Sequence, residues 1–169
     1  MAKPLVGIVM GSDSDLSIMQ EAKKMLDEFK IPTVTTVASA HRTPARAHEF
    51  ASGAAANGLK VIIAGAGGAA HLAGVIAANT TLPVIGVPID IPPLNGMDAL
   101  LATVQMPGGV PVATMAIGKA GAKNAGILAA QIIGAFDEDV AKRLVAFKEN
   151  MAEEVARKAK AVEGLMNLF

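Results

Sequence analysis

The sequence predicts an α/β fold: a single three-layer α/β/α domain around a doubly wound, parallel five-stranded sheet. Three observations carry that prediction. Five short runs, LVGIVM, TVTTVA, KVIIAGA, PVIGVPI and PVATMAI, are continuously apolar or β-branched, the pattern of strands covered on both faces. Each run is followed by a loop marked by glycine or proline and then by a helical segment, and strand–helix alternation builds parallel sheets through right-handed crossovers. Finally, 169 residues with 52% hydrophobic content supply one core, and no linker divides the chain.

The elements follow in order. After the first strand comes GSDSD (Gly11 to Asp15), where Ser12 or Ser14 can cap helix one and Asp15 is spaced from Ser12 as in a capping box. After the second comes SAHRTP (Ser39 to Pro44); Thr43, with Pro44 at the first helical position, opens helix two, and Gly58 sits just past its end. The third strand runs into GAGGAAHLAG (Gly65 to Gly74), and the fourth into IDIPPLNG (Ile89 to Gly96). The fifth leads to a Gly- and Ala-rich helix, GAKNAGILAAQIIGAF, and a long charged helix starts at about Asp137. The simplest strand order is the flavodoxin-like 2-1-3-4-5. One catalytic domain is expected over residues 1–169, with about 137–169 as a helical extension.

In that last helix Val140, Leu144, Phe147, Met151 and Val155 recur at intervals of three and four and draw one apolar stripe. A helix of ~25 residues at ~1.5 Å rise is nearly 40 Å long, more than such a domain is wide. Part of the stripe is therefore expected to pack on neighbouring subunits, making the protein a homo-oligomer.

Composition removes several function classes. Lys+Arg and Asp+Glu are both 15, without a basic block, so nucleic acid is not an expected partner. Cysteine is absent, which excludes thiolate nucleophiles, disulfides and cysteine metal sites. With no Trp or Tyr, stacking on a flavin would fall to five phenylalanines. The opening MAKPLVGIVMGSDSD has an apolar run too short for a signal peptide, and no apolar segment reaches the ~18 residues of a membrane span. A cytoplasmic protein with no membrane partner is expected.

In this fold, ligands bind at the carboxyl ends of the strands near the topological switch. The order 2-1-3 makes the loops after strands one, two and three neighbours, and together they hold two of the three histidines. Loop one offers hydroxyls and carboxylates at a helix start, where free N–H groups favour an anion. Because carboxylates repel phosphate, Ser12 is assigned to phosphate and Asp15 to sugar hydroxyls. Arg42 supplies a forked cation for phosphate, and His41 a group that gives and takes a proton near neutral pH. In loop three, Gly and Ala residues form a close wall ended by His71 as a hydrogen-bonding group. His48, within helix two, reads as a helix-face residue.

Two alternatives share these residues. Gly65, Gly67 and Ala70 fit G-x-G-x-x-A after a strand, with Asp90 after the next one, as in a dinucleotide site. That reading leaves His41, Arg42 and the first loop unexplained, and the usual place is the first strand–helix turn. A phosphoacceptor receiver using Lys119 fails because no Asp ends strand three.

GSDSD, SAHRTP, AGAGGAAHL, LPVIGVP, QMPGGVPVAT and AIGKAGAKNAGILAAQI resemble, in order and spacing, the class I PurE family, the N5-carboxyaminoimidazole ribonucleotide mutases of purine (IMP) biosynthesis. The resemblance runs from about Val6 to Ile133. GAGGAAHL looks like the mutase class rather than the related class that carboxylates aminoimidazole ribonucleotide directly with CO2. Ala73, where the family usually has proline, and the Pro-rich Ile89–Gly96 loop depart from its pattern. The resemblance implies His41 as the proton-transfer residue, phosphate and ribose contacts from Ser12, Asp15 and Arg42, and a ring and carboxylate pocket of Ser39, Ala40, Gly67, Gly68, Ala69, His71 and Leu72. It also implies no cofactor and no metal, and an octamer with sites at subunit boundaries, to which the Gln105–Val110 loop contributes.

Overall fold

A computed structural model describes residues 3–166; the ends of the expected 1–169 domain, residues 1–2 and 167–169, lie outside the described residues. The elements are β1 Val6–Met10, a 3-10 turn at Asp13–Asp15, α1 Leu16–Glu28, β2 Thr33–Val37, α2 Pro44–Gly53, β3 Val61–Gly67, α3 Leu72–Ala78, β4 Val84–Ile89, α4 Met97–Val104, β5 Ala113–Thr114, α5 Gly118–Gly134 and α6 Glu138–Met166. All neighbouring strands are parallel, in the order β2-β1-β3-β4-β5. The expected flavodoxin-like fold is the one observed.

Strand alternation divides the core into two layers. Val6, Ile8 and Met10 of β1, with Val61 and Ile63 of β3, pack with Met19, Leu26 and the alanines of α5. Val9, Ile62 and Ala64 point the other way, to Ala47 and Ala51 of α2 and Ile76 of α3. The small residues of α5 let it press against α1. A Cβ on Gly126 would lie 2.6 Å from the Ala22 carbonyl oxygen, so the two helices meet nearly backbone to backbone.

Two strands differ from the sequence pattern. TVTTV was expected to be covered on both faces, yet β2 is an edge strand with Val34 and Val37 exposed. PVATMAI yields only the two paired residues of β5: beyond them the Met115 N–H donates to the Gly86 carbonyl, and the chain then turns through Gly118 at φ +74° into α5. Pro44 opens α2 as expected, but Thr43 caps none of its N–H groups. The helix ends at Gly53, and a further turn brings the chain to Gly58, whose φ of +94° favours glycine.

The apolar stripe of α6 splits in two. Val140 is buried, and Leu144 and Phe147 pack on the core, Phe147 edge-on to Phe29 with centroids 5.3 Å apart. Further along, Met151 and Val155 are 52% and 65% exposed. At ~1.5 Å per residue, 29 residues make a helix of about 43 Å, and beyond Phe147 its described side chains are exposed, with Met151, Val155 and Lys158 bordering open recesses beside Lys123, Asn124 and Ile127 of α5.

Candidate active site

Loop one is built by its own polar groups. The Ser12 N–H donates to Asp15 Oδ2 at 3.1 Å while Ser12 Oγ accepts from the Ser14 N–H at 3.4 Å, closing a capping box around the 3-10 turn that leads into α1. Asp15 is only 7% exposed. Burial pushes its carboxyl above the ordinary carboxylate range, a shift opposed by the bonds from Ser12 and Ser14 and by the positive charge of Arg42.

Loop two folds on Ser39. Its Oγ accepts from the Arg42 N–H at 3.1 Å, its N–H donates to Thr43 Oγ1 at 2.8 Å, and the Thr43 hydroxyl donates back to the Ser39 carbonyl at 3.2 Å. This exchange accounts for Thr43: it closes the loop instead of capping the helix. Arg42 then reaches across to loop one, Nη2 donating to the Gly11 carbonyl at 3.0 Å. The Gly11 N–H in turn donates to the Gly65 carbonyl at 3.1 Å, which joins loop one to the end of β3.

Loops two and three meet through their histidines. His41 Nε2 lies 2.8 Å from His71 Nδ1, and the rings stand edge to face at 4.9 Å. One nitrogen must donate and the other accept, so a proton sits between the rings. Both side chains are exposed to the cleft they border.

That cleft is about 320 Å³. Of the residues assigned from sequence, Ser12, Asp15, Ser39, Ala40, His41, Arg42, Gly67, Ala69, His71 and Leu72 line it, and Gly68 does not. Gly68 serves the turn itself, at φ +61°. His48 stays outside the cleft, its Nδ1 2.8 Å from Asn79 Oδ1, as expected of a helix-face residue. A larger recess of about 520 Å³ beside β2 offers less chemistry: its Arg46 is already tied to the Val37 carbonyl at 2.8 Å and Thr36 Oγ1 at 3.0 Å. Convergent polar groups, rather than volume, single out the cleft between the three loops.

The dinucleotide fingerprint does not assemble. A Cβ on Gly65 would fall 2.3 Å from Met19 Sδ, so this glycine makes room for a core methionine and not for a pyrophosphate. Asp90 lies against Gly118 beside a separate recess that it shares with Lys119. Gly67 is also partly a packing residue: its missing Cβ leaves room for the Ile91 side chain, with Cδ1 3.2 Å from that position.

Sequence reasoning missed Gly11, Ser14, Ala66 and Ile91, which also line the cleft. The strand order carried a usable signal for Ile91, since β4 neighbours β3 and its following loop must border loop three. Nothing in the sequence marks the Gly11 carbonyl as the acceptor for Arg42.

A doubly wound α/β domain whose polar loops converge at the switch point defines the class of protein. Within that class, the chain matches the AIR carboxylase family over residues 5–154 and belongs to it. It is 61% identical over 153 residues to the N5-carboxyaminoimidazole ribonucleotide mutase of Bacillus subtilis, covering 90% of this chain and 94% of that protein. It is 53% identical to the phosphoribosylaminoimidazole carboxylase of Candida glabrata, covering 96% of this chain but 28% of that longer protein. Among solved structures, Treponema denticola PurE superposes with a TM-score of 0.84 at 26% identity, covering 93% of this chain and 97% of that one.

Proposed function

We propose that this chain converts N5-carboxyaminoimidazole ribonucleotide to 4-carboxy-5-aminoimidazole ribonucleotide in purine biosynthesis, by decarboxylation and recarboxylation through trapped CO2. The observation that carries the chemistry is the 2.8 Å contact between His41 and His71 at the edge of a cleft bordered by Arg42 and Ser12. Family membership and the Bacillus subtilis relative support the mutase activity.

Arg42 and Ser12 hold the phosphate, and Asp15, ionised, accepts from ribose hydroxyls. Those contacts, distant from the reacting atoms, fix the ring beside His41. His41 as imidazolium donates a proton to the carbamate nitrogen; the electron pair of the N–C bond stays on that nitrogen, and CO2 departs. Ring carbon four of the neutral, electron-rich aminoimidazole then attacks CO2. His41, now neutral, takes the proton from that carbon and regains its starting state. No net proton is gained or lost. His71 keeps the His41 ring turned toward the substrate, its Nδ1 accepting from or donating to His41 Nε2 as the charge changes.

Site completion by neighbouring subunits belongs to the same proposal. The exposed Met151 and Val155 on α6 supply an apolar surface for assembly, which takes the form of an octamer, and the Gln105–Val110 loop, outside the cleft of its own chain, reaches the site of a neighbour. A biosynthetic enzyme of this kind works in the cytoplasm, and no described helix is long and apolar enough to cross a membrane.

The test is to give the purified protein 4-carboxy-5-aminoimidazole ribonucleotide without ATP, metal or bicarbonate and to follow the N5-carboxylated isomer by NMR. Its appearance supports the mutase. Product formation only from free aminoimidazole ribonucleotide and CO2 would replace it with direct carboxylation.

A further inference from the structure

We propose that Ile91 is the water-excluding wall of the cleft and the residue that decides how much released CO2 is kept for recarboxylation, an inference that rests on the mutase chemistry above. Ile91 follows β4 and lines the cleft with His41, Ala69 and His71. Its Cγ1 and Cδ1 lie 3.3 and 3.2 Å from the point where Gly67 would carry a Cβ, and Cδ1 lies 3.4 Å from the same point on Gly68. The two glycines thus form a seat for this side chain.

The other apolar lining cannot do the same work. Leu72 is 2% exposed and belongs to the core behind the cleft, and Ala40, Ala66 and Ala69 offer single methyl groups. Ile91, 41% exposed, is, among the described residues that line the cleft, the one large aliphatic side chain that is not buried. Its backbone is held on both sides. Pro92 and Pro93 follow with fixed φ. Before it, the Asp90 Cα lies 3.1 Å from the place of a Gly96 Cβ, and Asp90 Oδ1 lies 2.9 Å from that of Gly118.

The intermediate makes such a wall necessary. Once the N–C bond has broken, CO2 is neutral, and the Arg42 cation that holds the ribonucleotide does not retain it. Confinement and the exclusion of water keep it beside ring carbon four, because water would hydrate it to bicarbonate and a proton. A branched aliphatic group over the glycine wall excludes water without offering a polar atom.

The test follows carbon. 4-Carboxy-5-aminoimidazole ribonucleotide with 13C in its carboxylate is incubated with the enzyme, unlabelled bicarbonate and carbonic anhydrase, and NMR gives the rate of label loss divided by the rate of isomerisation. Wild type should keep its label through successive interconversions. Ile91→Ala should raise the ratio about tenfold or more, the discrimination that a few apolar contacts carry, and Ile91→Leu should bring it back toward wild type. Label loss from the free N5-carboxylated ribonucleotide is measured without enzyme and subtracted, which leaves a ratio that does not depend on the amount of folded enzyme, so a poorly folding variant still reports. An unchanged ratio in Ile91→Ala overturns the proposal. Label loss by wild type at every interconversion also overturns it while leaving the mutase intact, whereas no isomerisation by wild type would overturn both.

Discussion

Arg42→Ala should weaken substrate binding through the phosphate alone. The guanidinium carries five N–H donors. Among the described residues, Nη2 uses one on the Gly11 carbonyl at 3.0 Å, and Nε points at Ser39 Oγ from 3.5 Å. Both Nη1 hydrogens and the second on Nη2 remain, enough for a two-point grip on a phosphate. Charge-assisted bonds contribute about 1.5–3 kcal/mol each when buried. Arg42 is exposed, so solvent screening reduces the pair to about 2–3 kcal/mol, roughly a 30- to 150-fold rise in KM. Arg42→Lys, which keeps the charge and loses the fork, should fall between the two. The assay is a kinetic comparison of the ribonucleotide with its dephosphorylated riboside. The riboside should be bound equally well by wild type and Arg42→Ala. An unchanged KM for the ribonucleotide, or an equal loss for the riboside, would refute the phosphate role.

Further outcomes follow from the same structure. Because burial raises the Asp15 carboxyl above its unfolded value, ionised Asp15 costs stability; the cost is absent below the unfolded pKa, grows as pH rises, and is complete above the folded pKa. Asp15→Asn, which can still accept from the Ser12 N–H, should therefore raise Tm at about pH 7 but not at about pH 3 while impairing turnover; an equal gain at both would contradict the assignment. Gly65→Ala drives a methyl group into Met19 Sδ and should cost about 1–3 kcal/mol, seen as a Tm lower by roughly 3–10 °C. Replacing Met151 and Val155 together with Glu should lower the mass measured by light scattering and leave the circular dichroism spectrum unchanged; an unaltered mass would separate the distal half of α6 from assembly.

What the sequence made legible depended on how local each signal was. Strand type followed from continuous apolar runs, and β1 and β4, buried throughout, and β3, buried over all but its last two residues, match them. Edge position escaped because TVTTV reads the same at an edge as in the middle of a sheet; which side lacks a neighbour is a property of the assembled sheet. The stripe on α6 read as one surface, and only the folded packing divides Phe147, which meets Phe29 and the core, from the exposed Met151. In the cleft, His41, Arg42 and Ser12 were legible because chemistry and loop position coincide. Ile91 carries no chemical mark of its own; only its place after β4, the neighbour of β3, pointed to the cleft, and its contact with Gly67 is a property of the folded chain. Gly65 shows the converse: a glycine that fits a ligand motif and is required by a methionine in the core.

The most direct test of the account is His41→Asn, assayed by NMR for interconversion of the two carboxylated ribonucleotides and by calorimetry for binding. One histidine that gives a proton to nitrogen and then takes another from ring carbon four predicts a loss of about a thousandfold or more, since positioned proton transfer alone contributes roughly 10²–10⁴ and both steps use it. Ribonucleotide binding should persist, because Arg42, Ser12 and Asp15 are unchanged. Interconversion within about tenfold of wild type would contradict the account and move the proton transfer to another group.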